Sequence, residues 1–211
     1  IDPDGDDPRA DLRWGTIGAA ARDAVATGGD REAIVDGDRR WTWRELGEAV
    51  DRASAAYLGA GIEVGDRVAI WAPNCAEWVV ALLGLQSVGG VLVPLNTRYK
   101  GVEAADILRR SRAKVLVTVD GFLDTHYVAM LDGHDLPHLE HVVVLRGEPG
   151  EALPAPAQHW EEFLALGEEV AEQAGLAGAE EARNEHYGFH YPFCWIRSLW
   201  NASGVWGLGF G

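Results

Sequence analysis

Histidines, cysteines, arginines and glycines mark the places where this chain could do chemistry. His186, His190 and Cys194 stand four residues apart, a spacing that on a helix would line one face with zinc-competent ligands. Gly188 and Pro192 lie between them and oppose that helix, so they read as incidental side chains. His134, His138 and His141 fall in a Gly/Asp/Leu/Pro loop that enters a strand, and they too are read as incidental rather than as ligands. No metal site is assigned. GVWGLGFG at the C-terminus imitates a phosphate-cradling loop, yet it has no Lys, Ser or Thr after its glycines and no following helix dipole. GDRVAIWAPN leads from a strand into a helix as a dinucleotide site would, without the G-x-G-x-x-G that brings backbone close to a pyrophosphate. Arg98 and Tyr99 follow the C-terminal end of an expected strand, where parallel sheets place their ligands. A solvated or structural Arg98 is the plainer reading. Asn201-Ala202-Ser203 is a glycosylation sequon by pattern only.

These residues need elements to hold them. An Ala-rich helix is expected over 16–26, ended by Gly28-Gly29, and a hairpin around Asp36-Gly37-Asp38. Thr42 and Glu45 form a capping box, followed by Leu46, Ala49, Val50, Ala53 and Tyr57 at helical spacing and a stop at Gly61. Asn74 and Glu77 repeat the capping pattern before an all-round apolar helix over 78–85, which should therefore be buried. Short apolar strands are expected at 68–71, 90–95, 114–119 and 141–145, with helices at 102–112 and 122–131. Strands apolar on both faces, separated by helices, require right-handed crossovers. The fold class is α/β, a mostly parallel sheet flanked by helices. Residues 147–158, GEPGEALPAPAQ, read as a linker, and 160–174 as an acidic helix with a solvated face.

A chain of 211 residues buries about 70% of its unfolded surface, enough for one substantial domain. Its net charge of −15 argues against nucleic acid or an anionic membrane as partner, since phosphates would repel it. Cys75 and Cys194 make no CxxC and no disulfide framework, and no apolar run is long enough to span a membrane. The expected compartment is cytoplasmic, and the composition does not fix an oligomeric state.

WTWRELGEAVDRASAAYLGAGIEVGDRVAIWAPNCAEWVVALLGLQSVGGVLVPLNTRY resembles the N-terminal part of the AMP-forming acyl-CoA synthetases of the adenylate-forming superfamily. Residues 41–46 match an aromatic-Thr-aromatic-x-Glu-Leu motif. Residues 85–96 match a small-residue turn leading into Val-Pro-Leu-Asn, and the likeness runs on through 107–119 and more loosely to Phe163. VPLNTRY with LRRSRAKVLVTVDGFL looks closest to the branch acting on fatty or steroid-derived carboxylates. The resemblance implies a two-step reaction: a carboxylate attacks the α-phosphate of ATP, then the CoA thiol displaces AMP. It implies ATP, Mg²⁺ and CoA in a complete member and no cofactor for this portion alone; the strand-end place of Arg98 and Tyr99, not the resemblance, leaves a contact with substrate or CoA as the alternative to a structural Arg98. The family's Ser/Thr/Gly loop ending in Lys, its Tyr-Gly-x-Thr-Glu motif, its ribose-binding Asp and its C-terminal Lys have no counterpart here. No catalytic residue is assigned, and the cofactor-binding residues are unknown.

The expected domains are a disordered leader at 1–12, a truncated ligase domain at 13–182 and a divergent tail at 183–211. Where the glycine-rich loop should begin, the sequence turns to EARNEHYGFHYPFC, and the tail crowds Tyr187, Phe189, Tyr191, Phe193, Trp195, Trp200, Trp206 and Phe210 together without either regular period. Out-of-frame translation is the simplest origin of that tail. The alternative is a non-catalytic domain of the same fold, with the tail as its docking surface. An exposed sheet edge in an isolated portion would invite aggregation.

Overall fold

The computed structural model describes residues 16–147 and 157–173. Helix α1 (Ile17–Gly28) starts where the Ala19 N–H donates to Thr16 Oγ1 at 3.1 Å. Strands β1 (Glu32–Asp36) and β2 (Arg39–Thr42) form an antiparallel hairpin, whose turn needs Gly37 at φ 60°. Helix α2 (Trp43–Gly59) carries the expected capping box. The Thr42 N–H donates to Glu45 Oε2 at 2.7 Å, and the Glu45 N–H donates to Thr42 Oγ1 at 3.2 Å.

Strand β3 (Arg67–Trp71), helix α3 (Ala76–Ser87), strand β4 (Val91–Pro94), helix α4 (Gly101–Ser111), strands β5 (Val115–Thr118), β6 (His141–Val144) and β7 (Ala157–His159), and helix α5 (Trp160–Gln173) complete the order. The five-stranded sheet runs β4-β3-β5-β6-β7, and every pairing in it is parallel. Val68, Ala69, Ile70, Trp71, Val115, Leu116 and Val117 are fully buried, which explains why β3 and β5 read as continuous apolar runs. Helix α5 lies close against α2. A Cβ on Gly167 would sit 2.7 Å from the Ala56 nitrogen, and one on Gly59 would sit 2.5 Å from the Leu166 carbonyl oxygen. Tyr57 and Phe163 meet edge to face across this contact at 5.3 Å.

The structure departs from the sequence reading at three places. Residues 122–131 are not a helix: a bridge joins Phe122 to Thr125, Leu123 and Asp124 take positive φ, and only Ala129–Leu131 makes a 3₁₀ turn. Tertiary anchors prevail over local propensity there. The Tyr127 O–H donates to the Thr97 carbonyl at 3.1 Å, and its ring packs on Trp71. The linker expected over 147–158 ends in strand, because Ala157 and Gln158 pair with Val142 and Val143 in β6. At α3 the N-cap is Cys75, whose side chain accepts no capping bond, so the pattern expected of Asn74 and Glu77 is absent. The leader and tail expected at 1–12 and 183–211 lie outside the described residues.

Candidate functional site

The chain leaves β3 for β4 on one side and returns to β5 on the other, so the strand order reverses between β3 and β5. In open parallel sheets this reversal opens a crevice at the strands' carboxyl ends, the usual place for a ligand. Two aromatic residues, Trp71 and Tyr127, lie at that end of the sheet. Trp71 ends β3, and its indole N–H donates to the Asn96 carbonyl at 3.0 Å. Tyr127 stands edge-on to Trp71 at 4.7 Å, and the Thr118 hydroxyl donates to the Trp71 carbonyl at 2.8 Å. Asp120 pairs through Oδ2 with His126 Nδ1 at 3.0 Å, while its Oδ1 is buried without a hydrogen-bond partner among the described residues.

Four charged side chains, from β1, β2, α3 and the segment just after β6, meet in one cluster. Glu77 in the first turn of α3 bonds Arg39 of β2 and Arg146 just after β6, with Arg146 Nε donating at 3.0 Å. Arg146 also bonds Asp36 of β1, and the Ala76 N–H donates to Asp36 Oδ2 at 3.1 Å. Asp36 thus caps α3 from a distant hairpin, which answers the missing local cap at Cys75. The Arg146 guanidinium, then the Ala76 amide, hold the Asp36 carboxyl below its ordinary value. Burial pushes the Glu77 carboxyl up, but the bonds from Arg39 and Arg146 outweigh it and leave it lowered. Burial works against the Arg146 charge, and the bonds to Asp36 and Glu77 more than compensate, so its value rises. Burial raises the Cys75 thiol, the opposite of what a reactive thiolate needs. A cleft of about 90 Å³ adjoins the cluster, with Arg39, Trp41, Arg52, Glu77, Trp160 and Glu161 on its walls.

The residues singled out from sequence are dispersed. Arg98 is exposed past the carboxyl end of β4, where Asn96 Oδ1 accepts its backbone N–H at 2.9 Å, and Tyr99 is half-buried against the core. His141 opens β6 at the opposite end of the sheet, its Nδ1 3.1 Å from Gln158 Nε2, with His134 and His138 in the loop before it. Among the described residues no three His, Cys, Asp or Glu side chains are grouped to hold a metal ion. No helix among the described residues is long and apolar enough to cross a membrane. His186, His190, Cys194, Asn201 and the GVWGLGFG run lie outside the described residues. Sequence reading missed the Asp36, Arg39, Glu77 and Arg146 cluster, whose pairs stand 38 to 110 residues apart and leave no local pattern.

Comparison with known proteins adds to this geometry. A family model described as AMP-binding enzyme matches residues 21–181. A 3-[(3aS,4S,7aS)-7a-methyl-1,5-dioxo-octahydro-1H-inden-4-yl]propanoyl:CoA ligase of Mycobacterium tuberculosis is 44% identical over 173 residues, 82% of this chain and 31% of that protein. The ligase of the same name from Rhodococcus jostii is 37% identical over 155 residues, 73% of this chain and 30% of that protein. The chain therefore spans about a third of the length of these curated relatives. Among solved structures, an anthranilate CoA ligase in complex with anthranoyl-AMP superposes with a TM-score of 0.62 at 27% identity, covering 71% of this chain and 28% of that one.

Proposed function

This chain belongs to the AMP-binding enzyme family, and on that premise we propose that it is the N-terminal part of an AMP-forming carboxylate–CoA ligase, with residues 13–182 as its opening domain. The complete reaction joins a carboxylate to CoA through an acyl-adenylate, releasing pyrophosphate and then AMP. The observation that carries this reading is the 44% identity over 173 residues to a CoA ligase. That relative's name describes a bicyclic propanoyl group, so the acid proposed here is a steroid-derived carboxylate of that type. Cysteines without a disulfide framework support a cytoplasmic setting.

The described residues do not by themselves fit ATP with its metal. Phosphates need unpaired cations and open backbone amides, whereas Arg39 and Arg146 are neutralised by Glu77 and Asp36. Asp36 already occupies the Ala76 amide at the start of α3, and Trp71 and Tyr127 pack against each other at the carboxyl end of β3. No chemical step is assigned to these residues. Their role is to build the sheet on which a ligand site is completed, and exposed Arg98, past the carboxyl end of β4, is the candidate for a contact with substrate or CoA. The test is ATP–pyrophosphate exchange dependent on the bicyclic propanoic acid. We expect none from the 211-residue chain alone, and exchange once the remaining two-thirds of the Mycobacterium tuberculosis relative is added in trans. Exchange by the chain alone would overturn the assignment of phosphate chemistry to other residues.

A further inference from the structure

The turn that carries Arg98 is held at both ends and in the middle. It leaves β4 at Leu95, whose N–H donates to the Ile70 carbonyl of β3 at 2.9 Å. Asn96 then folds it back: its Oδ1 accepts the Arg98 N–H at 2.9 Å, and its carbonyl accepts the Tyr99 N–H at 3.0 Å. At the far end the Lys100 N–H donates to Glu103 Oε2 at 2.8 Å. Gly101 there brings the chain so close to Met130 that a Cβ would sit 2.0 Å from the Met130 carbonyl oxygen. Two aromatic donors hold the middle. Trp71 Nε1 donates to the Asn96 carbonyl at 3.0 Å, and the Tyr127 O–H donates to the Thr97 carbonyl at 3.1 Å. The two rings meet edge to face, and the Thr118 hydroxyl ties the Trp71 backbone to the end of β5. Both residues are buried, so packing fixes the direction in which each donor points.

We propose that Trp71 and Tyr127 are positioning residues: they set the place of the Arg98 backbone, and so of the guanidinium that takes an anionic oxygen of the acid or of CoA. This rests on the reading of Arg98 given above. Both act through the carbonyls they hold rather than on the ligand. An arginine on a loose turn loses conformational freedom when it grips an anion, and that loss weakens binding. On this turn the freedom is already gone when the chain folds, because β3 and the loop after β5 hold adjacent carbonyls, at Asn96 and Thr97.

The test uses the full chain and Tyr127→Phe, which keeps a ring against Trp71 and removes only the hydroxyl. Residue-level hydrogen–deuterium exchange should show the Arg98 and Tyr99 amides exchanging about three- to tenfold faster in the variant, the scale of one hydrogen bond. The Ile62 amide, bonded to the Tyr57 carbonyl after α2, should not change. In the enzyme completed in trans, KM is then read separately for the acid and for CoA. The one that rises in Arg98→Ala names the ligand, and it should rise about three- to tenfold in Tyr127→Phe with kcat nearly unchanged. On the Arg98→Ala background, Tyr127→Phe should add nothing. Unchanged exchange at Arg98 and Tyr99 would overturn the proposal, as would a KM effect of Tyr127→Phe that persists in full without Arg98. Loosened Arg98 and Tyr99 amides with both KM values unchanged in Arg98→Ala would instead overturn the reading of Arg98 itself. Should Tyr127→Phe lose cooperative melting, Trp71→Phe, which removes the donor to the neighbouring Asn96 carbonyl, is read against the same outcomes.

Discussion

Replacing Arg146 by methionine removes the one guanidinium that touches both carboxylates of the cluster. Glu77 keeps Arg39, but Asp36 keeps only the Ala76 amide. Breaking a buried ion pair from one side costs about 3–5 kcal/mol, whereas an exposed pair is worth at most about 1 kcal/mol. The Glu77 and Asp36 side chains are 12% and 21% exposed, but Arg146 is 43% exposed, so water recovers part of the loss. The expected cost is therefore about 2–3 kcal/mol. For a chain of this size that lowers the melting midpoint by roughly 4–12 °C. Urea unfolding followed by tryptophan fluorescence reads the loss directly, and a pH series gives it a signature. Asp36 and Glu77 both titrate below their ordinary values when folded. Their contribution is full above about pH 5 and disappears as pH falls through the folded values. Arg146→Met should thus lie well below the parent at neutral pH and converge on it in acid. A loss under about 0.5 kcal/mol, or a gap that does not narrow in acid, would refute the reasoning.

Three further predictions rest on single contacts. The Tyr57 hydroxyl is fully buried with no hydrogen-bond partner among the described residues, so Tyr57→Phe should leave stability unchanged or raise it by up to about 1 kcal/mol in urea unfolding. Gly167→Ala puts a methyl against the Ala56 backbone at the α2–α5 contact and should cost about 1–3 kcal/mol, with the Trp160 environment shifting in fluorescence. Arg98→Ala should leave the melting curve of the chain unchanged while raising the KM for acid or CoA in the reassembled enzyme. An unchanged KM for both would remove Arg98 from the substrate contacts.

What was legible in the sequence was local or periodic. The Thr42 and Glu45 box, the all-round apolar α3 and the continuous apolar runs of β3 and β5 each state their environment within a few residues. Together they determine an α/β parallel sheet. What was not legible depends on partners far along the chain. β7 is three residues of linker-like sequence that becomes strand only because β6 lies beside it. The helix expected over 122–131 yields to the anchor of Tyr127 on Trp71 and Thr97. Glu77 has the type and place of a helix-capping carboxylate, but two arginines draw it away, and Asp36 from the hairpin takes over the cap. Sequence spacing alone carries no trace of that exchange.

The central claim is that these residues are the opening layer of a carboxylate–CoA ligase, and a chimera tests it most directly. The matching N-terminal segment of the Mycobacterium tuberculosis relative would be replaced by residues 16–173 of this chain, and CoA thioester formation from that relative's bicyclic acid would be measured. The account predicts a folded chimera that forms the thioester in an ATP-dependent reaction. A chimera that folds cooperatively, yet gives no acyl-adenylate and no thioester, would contradict it.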